Sequence, residues 1–132
     1  MLSDQDATSE PAVPYVLLVE DEAVIRALLA EELRSYGLTV VEAANADEAW
    51  AYLQTGGAAH LIFSDVTMPG SMNGVDLIRR VKSAYPTTKA ILTSGNPGAA
   101  NMAELGLFLP KPYRLSEAAA TALRCLGLQA GP

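Results

Sequence analysis

Cysteine is almost missing from this chain. Cys125 is the only one among 132 residues. No disulfide can form within the chain, and a reducing compartment is the simpler reading. Basic residues are scarce: 9 Lys and Arg stand against 15 Asp and Glu, for a net charge of -6 and a pI near 4.6. An acidic surface repels phosphate backbones, which disfavours direct binding of nucleic acid. Long apolar runs are missing too, and none is long enough to cross a bilayer. Met1 to Ala12 carries Asp4, Asp6 and Glu10 where a signal peptide would have a basic and then an apolar region. The expectation is a soluble, cytoplasmic protein that makes no membrane contact.

What is there suits one domain with one core. Half of the residues are hydrophobic (50%), 18% are charged, and the mean hydropathy is +0.18. Such a chain can bury most of its apolar surface without a disulfide or structural metal. Residues 1–14 read as a disordered polar tail, residues 15–127 as the domain, and residues 128–132 as a short C-terminal tail.

Apolar runs then alternate with helical patterns. Tyr15 to Val19 is a nearly unbroken apolar run, as in a strand buried on both faces. Ala23 to Tyr36 spaces Ile25, Leu28, Leu29 and Leu33 for a helix, with Gly37 as its stop. Leu38 to Ala43 is a second strand. Asn45 with Glu48 makes an N-cap signal for a helix holding Trp50 and Leu53. Leu61 to Ser64 is a third strand, and Gly74 to Tyr85 a helix closed by Pro86. Ala90 to Thr93 and Leu107 to Leu109 are the last strands, with room between them for only a short helix over Ala99 to Leu105. Leu115 to Leu126 is a final Ala-rich helix. Strict strand–helix alternation predicts an α/β doubly wound parallel sheet with right-handed crossovers. Ligands of such sheets bind beyond the carboxyl ends of the strands.

Those ends carry the chemistry. The first strand runs into Glu20-Asp21-Glu22, the third into Asp65, the fourth into Thr93-Ser94 and the fifth into Lys111-Pro112. Two like charges about 4 Å apart repel by about 4 kcal/mol at an effective dielectric of 20. One lysine cannot offset three clustered carboxylates. Either one acid is protonated or a divalent cation sits there, and oxygen-only ligands favour Mg²⁺ (or Mn²⁺) over zinc or copper. A carboxylate nucleophile beside a metal and a lysine suits phosphoryl transfer. Each acid has a bland alternative, since acidic runs often open helices and aspartate often starts turns. Their joint placement at matching strand ends favours the site.

Four segments, V-L-L-V-E-D-E, F-S-D-V-T-M-P-G, I-L-T-S-G and L-P-K-P-Y, stand in order at four strand ends. In them the chain resembles the response regulator receiver family, the flavodoxin-like phosphoacceptor domains of two-component signalling, over about Tyr15 to Leu126. The resemblance implies a (βα)5 fold with strand order 2-1-3-4-5. It implies that Asp65 accepts the phosphoryl group, that Asp21 binds the metal directly, and that Glu20 holds a metal-bound water. Asp65 and the backbone carbonyl of Thr67 complete the metal ligands. Ser94 matches the switch hydroxyl, Lys111 the lysine that meets the phosphoryl charge, Lys111-Pro112 a cis peptide, and Phe108 the switch aromatic. Thr67 and Asn96 match the two positions that tune loss of phosphate. Two departures stand out. The loop Gly70-Ser71-Met72-Asn73 is one residue longer than the commonest family form. From Ser94 to Lys111 the chain is shorter than usual by about one helical turn or more, which implies a short or irregular fourth helix.

The implied role is a signalling switch rather than an enzyme with turnover. The implied partners are a sensor histidine kinase or a histidine phosphotransfer protein, and a protein target. No DNA-binding or catalytic segment follows Leu126, so a stand-alone switch is the first expectation. A relay member, or a receiver excised from a hybrid kinase, is the alternative. Two rivals come from other classes. An FMN-binding module would need a hydroxyl- and amide-rich loop where Glu20-Asp21-Glu22 stands, and an aspartyl phosphatase would need a second aspartate where Thr67 stands.

Overall fold

The computed structural model describes residues 13–95 and 104–128. Along them run β1 (Tyr15–Val19), α1 (Ala23–Arg34), β2 (Thr39–Ala43), α2 (Ala46–Gln54), β3 (Leu61–Asp65), α3 (Gly74–Ala84), β4 (Lys89–Ser94), β5 (Leu107–Pro110) and α4 (Leu115–Cys125). The five strands form one sheet in the order β2-β1-β3-β4-β5, and every neighbouring pair is parallel. This is the flavodoxin-like doubly wound fold. Residues 1–12 of the expected N-terminal tail, residues 96–103, which hold Asn96 and most of the expected short fourth helix, and residues 129–132 lie outside the described residues.

The strands read as unbroken apolar runs because both of their faces are covered. Side chains alternate along a strand. In β1, Val16 and Leu18 pack with Leu29 and Leu33 of α1 and Ala118 and Ala122 of α4. Leu17 and Val19 pack on the other face with Leu53 of α2 and Ile78 of α3. Each fully buried Leu, Ile or Val contributes about 1.5–3 kcal/mol. The small face of α4 lets it lie close to the sheet. Leu28, expected in the core, is 48% exposed, while Ala30 is fully buried. The face of α1 that meets the sheet therefore centres on Leu29, Ala30 and Leu33.

Local signals end the elements where the sequence says they should. Asn45 Oδ1 accepts from Glu48 N at 2.8 Å, and Glu48 Oε1 accepts from Ala44 N at 2.8 Å. Asn73 and Asp76 form a reciprocal capping box on α3. Gly37 takes a φ of 87° at the turn after α1, a conformation costly for a residue with a β-carbon.

The strand order decides where the site lies. From β1 the chain crosses to β2 on one side, then returns past β1 to β3 on the other. The crossovers diverge between β1 and β3, which opens a crevice at their carboxyl ends. Glu20 follows β1 directly, and Asp65 ends β3.

Candidate functional site

Three acids meet at that crevice. Glu20, Asp21 and Asp65 each offer a carboxylate oxygen, and these oxygens lie within 4.8 Å of one another. Glu20 is 3% and Asp65 8% exposed, while Asp21 is open to solvent. The donor set is oxygen only and one ligand faces solvent. A hard divalent ion such as Mg²⁺ fits that chemistry, since it binds a few carboxylates and keeps several of its waters.

Lys111 closes the crevice from β5. Its Nζ donates to Asp65 Oδ2 at 2.6 Å and to Glu20 Oε1 at 3.4 Å. Its backbone N donates to Ser94 O at 2.9 Å, and the Lys111–Pro112 peptide is cis. Asp65 Oδ1 accepts from Thr67 N at 3.1 Å, and Glu20 Oε2 accepts from Glu22 N at 3.1 Å. These bonds hold both buried carboxylates as acceptors and leave Asp21 to the solvent side.

The charges strain against one another. Burial raises the Glu20 carboxyl above its ordinary value, and the negative charge of Asp65 adds to this against the Glu22 N–H and the Lys111 charge. Burial pulls the Lys111 ammonium down, but its bond to Asp65 and the charges of Asp65 and Glu20 outweigh that and raise it. A buried acid held above its ordinary pKa welcomes added positive charge, which is what a divalent ion supplies.

The other expected residues fall around this centre. Thr93 pairs in register with Asp65, and Ser94 follows it as the buried last residue of β4. Thr67 is exposed on the loop after β3. Phe108 pairs with Leu92 in β5 and is half-buried against the apolar cluster shared by α2 and α3. Asn96 is outside the described residues. His60, read as structural, accepts the Tyr15 N–H at its Nδ1, 2.9 Å away, far along the sheet from the acids.

Three further residues were not singled out from the sequence. Arg26 Nη1 donates to Glu20 O at 2.7 Å, and its Nε pairs with Glu42 at 3.4 Å, tying the acidic loop to β2. Gly74 packs its α-carbon on the Asp65 carbonyl, so that a β-carbon would overlap that oxygen. Tyr113 buries its hydroxyl two residues after Lys111. A positive residue five positions after Asp21 was a visible signal for the first, and Tyr113 stood in the segment L-P-K-P-Y; nothing in the chain alone pointed to the contact of Gly74.

The longer loop after β3 is well anchored. Met68 and Met72 are buried under it, and Ser71 Oγ donates to Asp47 Oδ1 of α2 at 2.8 Å. These contacts tie the loop to α2.

Comparison with known proteins agrees with this geometry. A family model described as the response regulator receiver domain matches residues 16–122. Sensor kinase CckA of Brucella abortus (strain 2308) is 38% identical over 95% of this chain, and the chain spans 14% of that kinase's length. Among solved structures, a CheY-like receiver domain protein of Methanospirillum hungatei JF-1 shares the fold. Its TM-score is 0.80 at 21% identity, over 88% of this chain and 95% of that one. TrrA of Thermotoga maritima, solved in complex with Mg(2+)-BeF, has a TM-score of 0.77 at 24% identity, over 86% of this chain and 99% of that one.

Proposed function

The chain belongs to the response regulator receiver domain family, and from that premise we propose that it is a Mg²⁺-dependent phosphorylation switch that takes a phosphoryl group onto Asp65 from a phosphohistidine. The observation that carries this is the position of Lys111 Nζ, 2.6 Å from Asp65 Oδ2, beside three carboxylates gathered at the strand crossover. Sensor kinase CckA supports a kinase partner, and the Mg(2+)-BeF complex of TrrA supports the metal.

In this reading an Asp65 carboxylate oxygen attacks the phosphorus of the donor. An oxygen–phosphorus bond forms, the phosphorus–nitrogen bond of the phosphohistidine breaks, and the leaving imidazole takes up a proton. Lys111 moves with the charge it already faces and pairs with the new phosphoryl oxygens. Ser94, at the end of β4, donates its hydroxyl to the same group, and Phe108 repacks along β5 as Ser94 moves. Glu20, Asp21, Asp65 and the Thr67 carbonyl would hold the divalent ion, which when bound neutralises charge on the transferring group. Burial of Glu20 and Asp65 keeps bulk water from solvating the charges that steer the transfer. The receiving unit is residues 15–127, and its output is a protein contact.

The test is direct. Incubation with acetyl phosphate and Mg²⁺ should add the mass of one phosphoryl group to the intact protein. Asp65→Asn keeps the shape and removes the nucleophile, so it should add none; a mass gain in that variant overturns the assignment. Asp21→Ala should weaken Mg²⁺ binding by titration, and unchanged affinity would remove Asp21 from the ligand set.

A further inference from the structure

Charge is shared unevenly along this chain. Four of its 9 basic residues, Arg79, Arg80, Lys82 and Lys89, fall between Asp76 and Glu104, and no acid stands among them. All four are exposed. Arg80 lies over the Trp50 ring, 5.8 Å from its centroid. Ion pairs among the described residues are made by Arg26, Arg34 and Lys111, so Lys82 and Lys89 pair with no acid there. On a protein of net charge -6, such a patch attracts what the rest of the surface repels.

Lys82 and Lys89 line a groove of about 490 Å³. It opens between the ends of α3 and α4, where β4 and β5 begin. Leu105, Leu107 and Cys125 give it an apolar side, and Leu107 is 48% exposed on the outer strand β5. The walls are fixed. Thr88 Oγ1 donates to Ala59 O at 2.8 Å, and Lys89 N donates to His60 O at 3.0 Å. Gly106 lies so close to β4 that a β-carbon there would overlap the Ala90 carbonyl oxygen. A preformed groove costs its ligand little ordering. Lys89 pairs with Leu61, at the opposite end of β3 from Asp65, roughly 13 Å away along the strand. An occupant of the groove therefore leaves the acidic crevice open.

We propose that this groove is a second binding site, which takes an acidic segment of a partner protein, its carboxylates on Lys82 and Lys89 and an apolar side chain on Leu107. A small free anion would meet the carbonyl end of α3 and leave the apolar side uncovered. A nucleic acid would be repelled by the rest of the surface. A second copy docked like-to-like would set lysines against lysines. The site stands apart from the phosphoacceptor reading, and it lets a partner stay tethered while Asp65 remains accessible.

Cys125 is the only cysteine of the chain and lines the groove, so its alkylation reports occupancy. Iodoacetamide labelling, read by intact mass, is timed with and without a synthetic peptide of Asp and Glu around a central Leu. In wild type the peptide should slow labelling severalfold, and the effect should fade as NaCl is raised. The Asn and Gln counterpart of the peptide should leave the rate unchanged. Lys82→Glu combined with Lys89→Glu should raise the peptide concentration needed for half protection about tenfold. Leu107→Ser should raise it severalfold. Both variants should melt as wild type does, because the altered side chains are exposed. The inference is overturned by labelling that the acidic peptide does not slow, by equal protection from the amide counterpart, or by undiminished protection in the charge-reversed variant. Equal protection by a single-stranded oligonucleotide overturns the choice of a peptide. Wild type that sediments as a dimer with Cys125 already protected overturns it in favour of a second copy.

Discussion

Gly74 lies against Asp65 so closely that a β-carbon on Gly74 would overlap the Asp65 carbonyl oxygen. The first residue of α3 thus sits on the backbone of Asp65. Gly74 N also donates to Val66 O at 3.0 Å, which closes the long loop between them. The capping box of Asn73 and Asp76 fixes α3 at this point, so the helix start and Asp65 are one unit.

Gly74→Ala is the substitution that tests this unit. Helix propensity alone would favour alanine by up to about 1 kcal/mol. The clash with backbone reverses the sign, and the variant should lose about 1–3 kcal/mol. Its phosphorylation by acetyl phosphate should also slow, because relief of the clash moves Asp65. Urea unfolding and the rate of phosphoryl mass gain check both.

Glu20→Gln should stabilise the metal-free protein at neutral pH. The folded-state pKa of Glu20 is raised above 4.5, mainly by burial. Between the two pKa values the folded state binds the proton that the unfolded state has lost, so stability falls as pH rises through that window. The cost of the buried charge is complete above the folded pKa and absent below about 4.5. The advantage of glutamine should therefore be largest near pH 7 and shrink on acidification. Chelator-treated samples melted across pH 4 to 8 give the difference; a gap that grows toward acid would contradict it.

Arg26→Ala should loosen the acidic loop. It removes the 2.7 Å bond to Glu20 O and the pair with Glu42. Arg34 still holds Glu42 at 3.2 Å, so β2 stays in place. The loss should be about 1–2 kcal/mol, led by the charge-assisted bond to a buried carbonyl. Arg26→Lys cannot make both contacts at once and should recover only part of it. Denaturant midpoints of the three proteins rank them.

Thr67→Asn should shorten the life of the phosphorylated form. Loss of an acyl phosphate needs a water in line with the phosphorus–oxygen bond, and residues beside that line set the rate. Thr67 is exposed two residues after Asp65, with its backbone N–H bound to Asp65 Oδ1. A short β-branched side chain crowds the path and reaches poorly toward a water, whereas an amide can orient one. Decay of the phosphorylated protein in Mg²⁺ buffer reads the effect. Slower or equal decay would take Thr67 off the water's path.

Much of this was legible in the chain. Periodicity marked every strand and helix of the described residues to within about two positions, because a sheet covered on both faces demands apolar runs and a surface helix demands one apolar stripe. The acids and the lysine were visible because charge placed directly after an apolar strand has few structural reasons to be there. The exposure of Leu28 was not legible, since the angle at which α1 meets the sheet depends on what packs beneath it.

The sequence by itself determined the order of elements, the residues at the strand ends, and an excess of negative charge that calls for a cation. Tertiary structure decided how closely each group answers that charge. Lys111 is 46 residues from Asp65 along the chain, yet 2.6 Å from it in space. The Glu20 carbonyl is held by Arg26, and Gly74 is pressed on Asp65. The Tyr113 hydroxyl is buried next to Lys111. Such pairings depend on strand order and on the turn that follows each strand, and neither leaves a local pattern. A parallel sheet joins residues far apart in the chain, and the distances that set a pKa or admit an ion exist only once that sheet has closed.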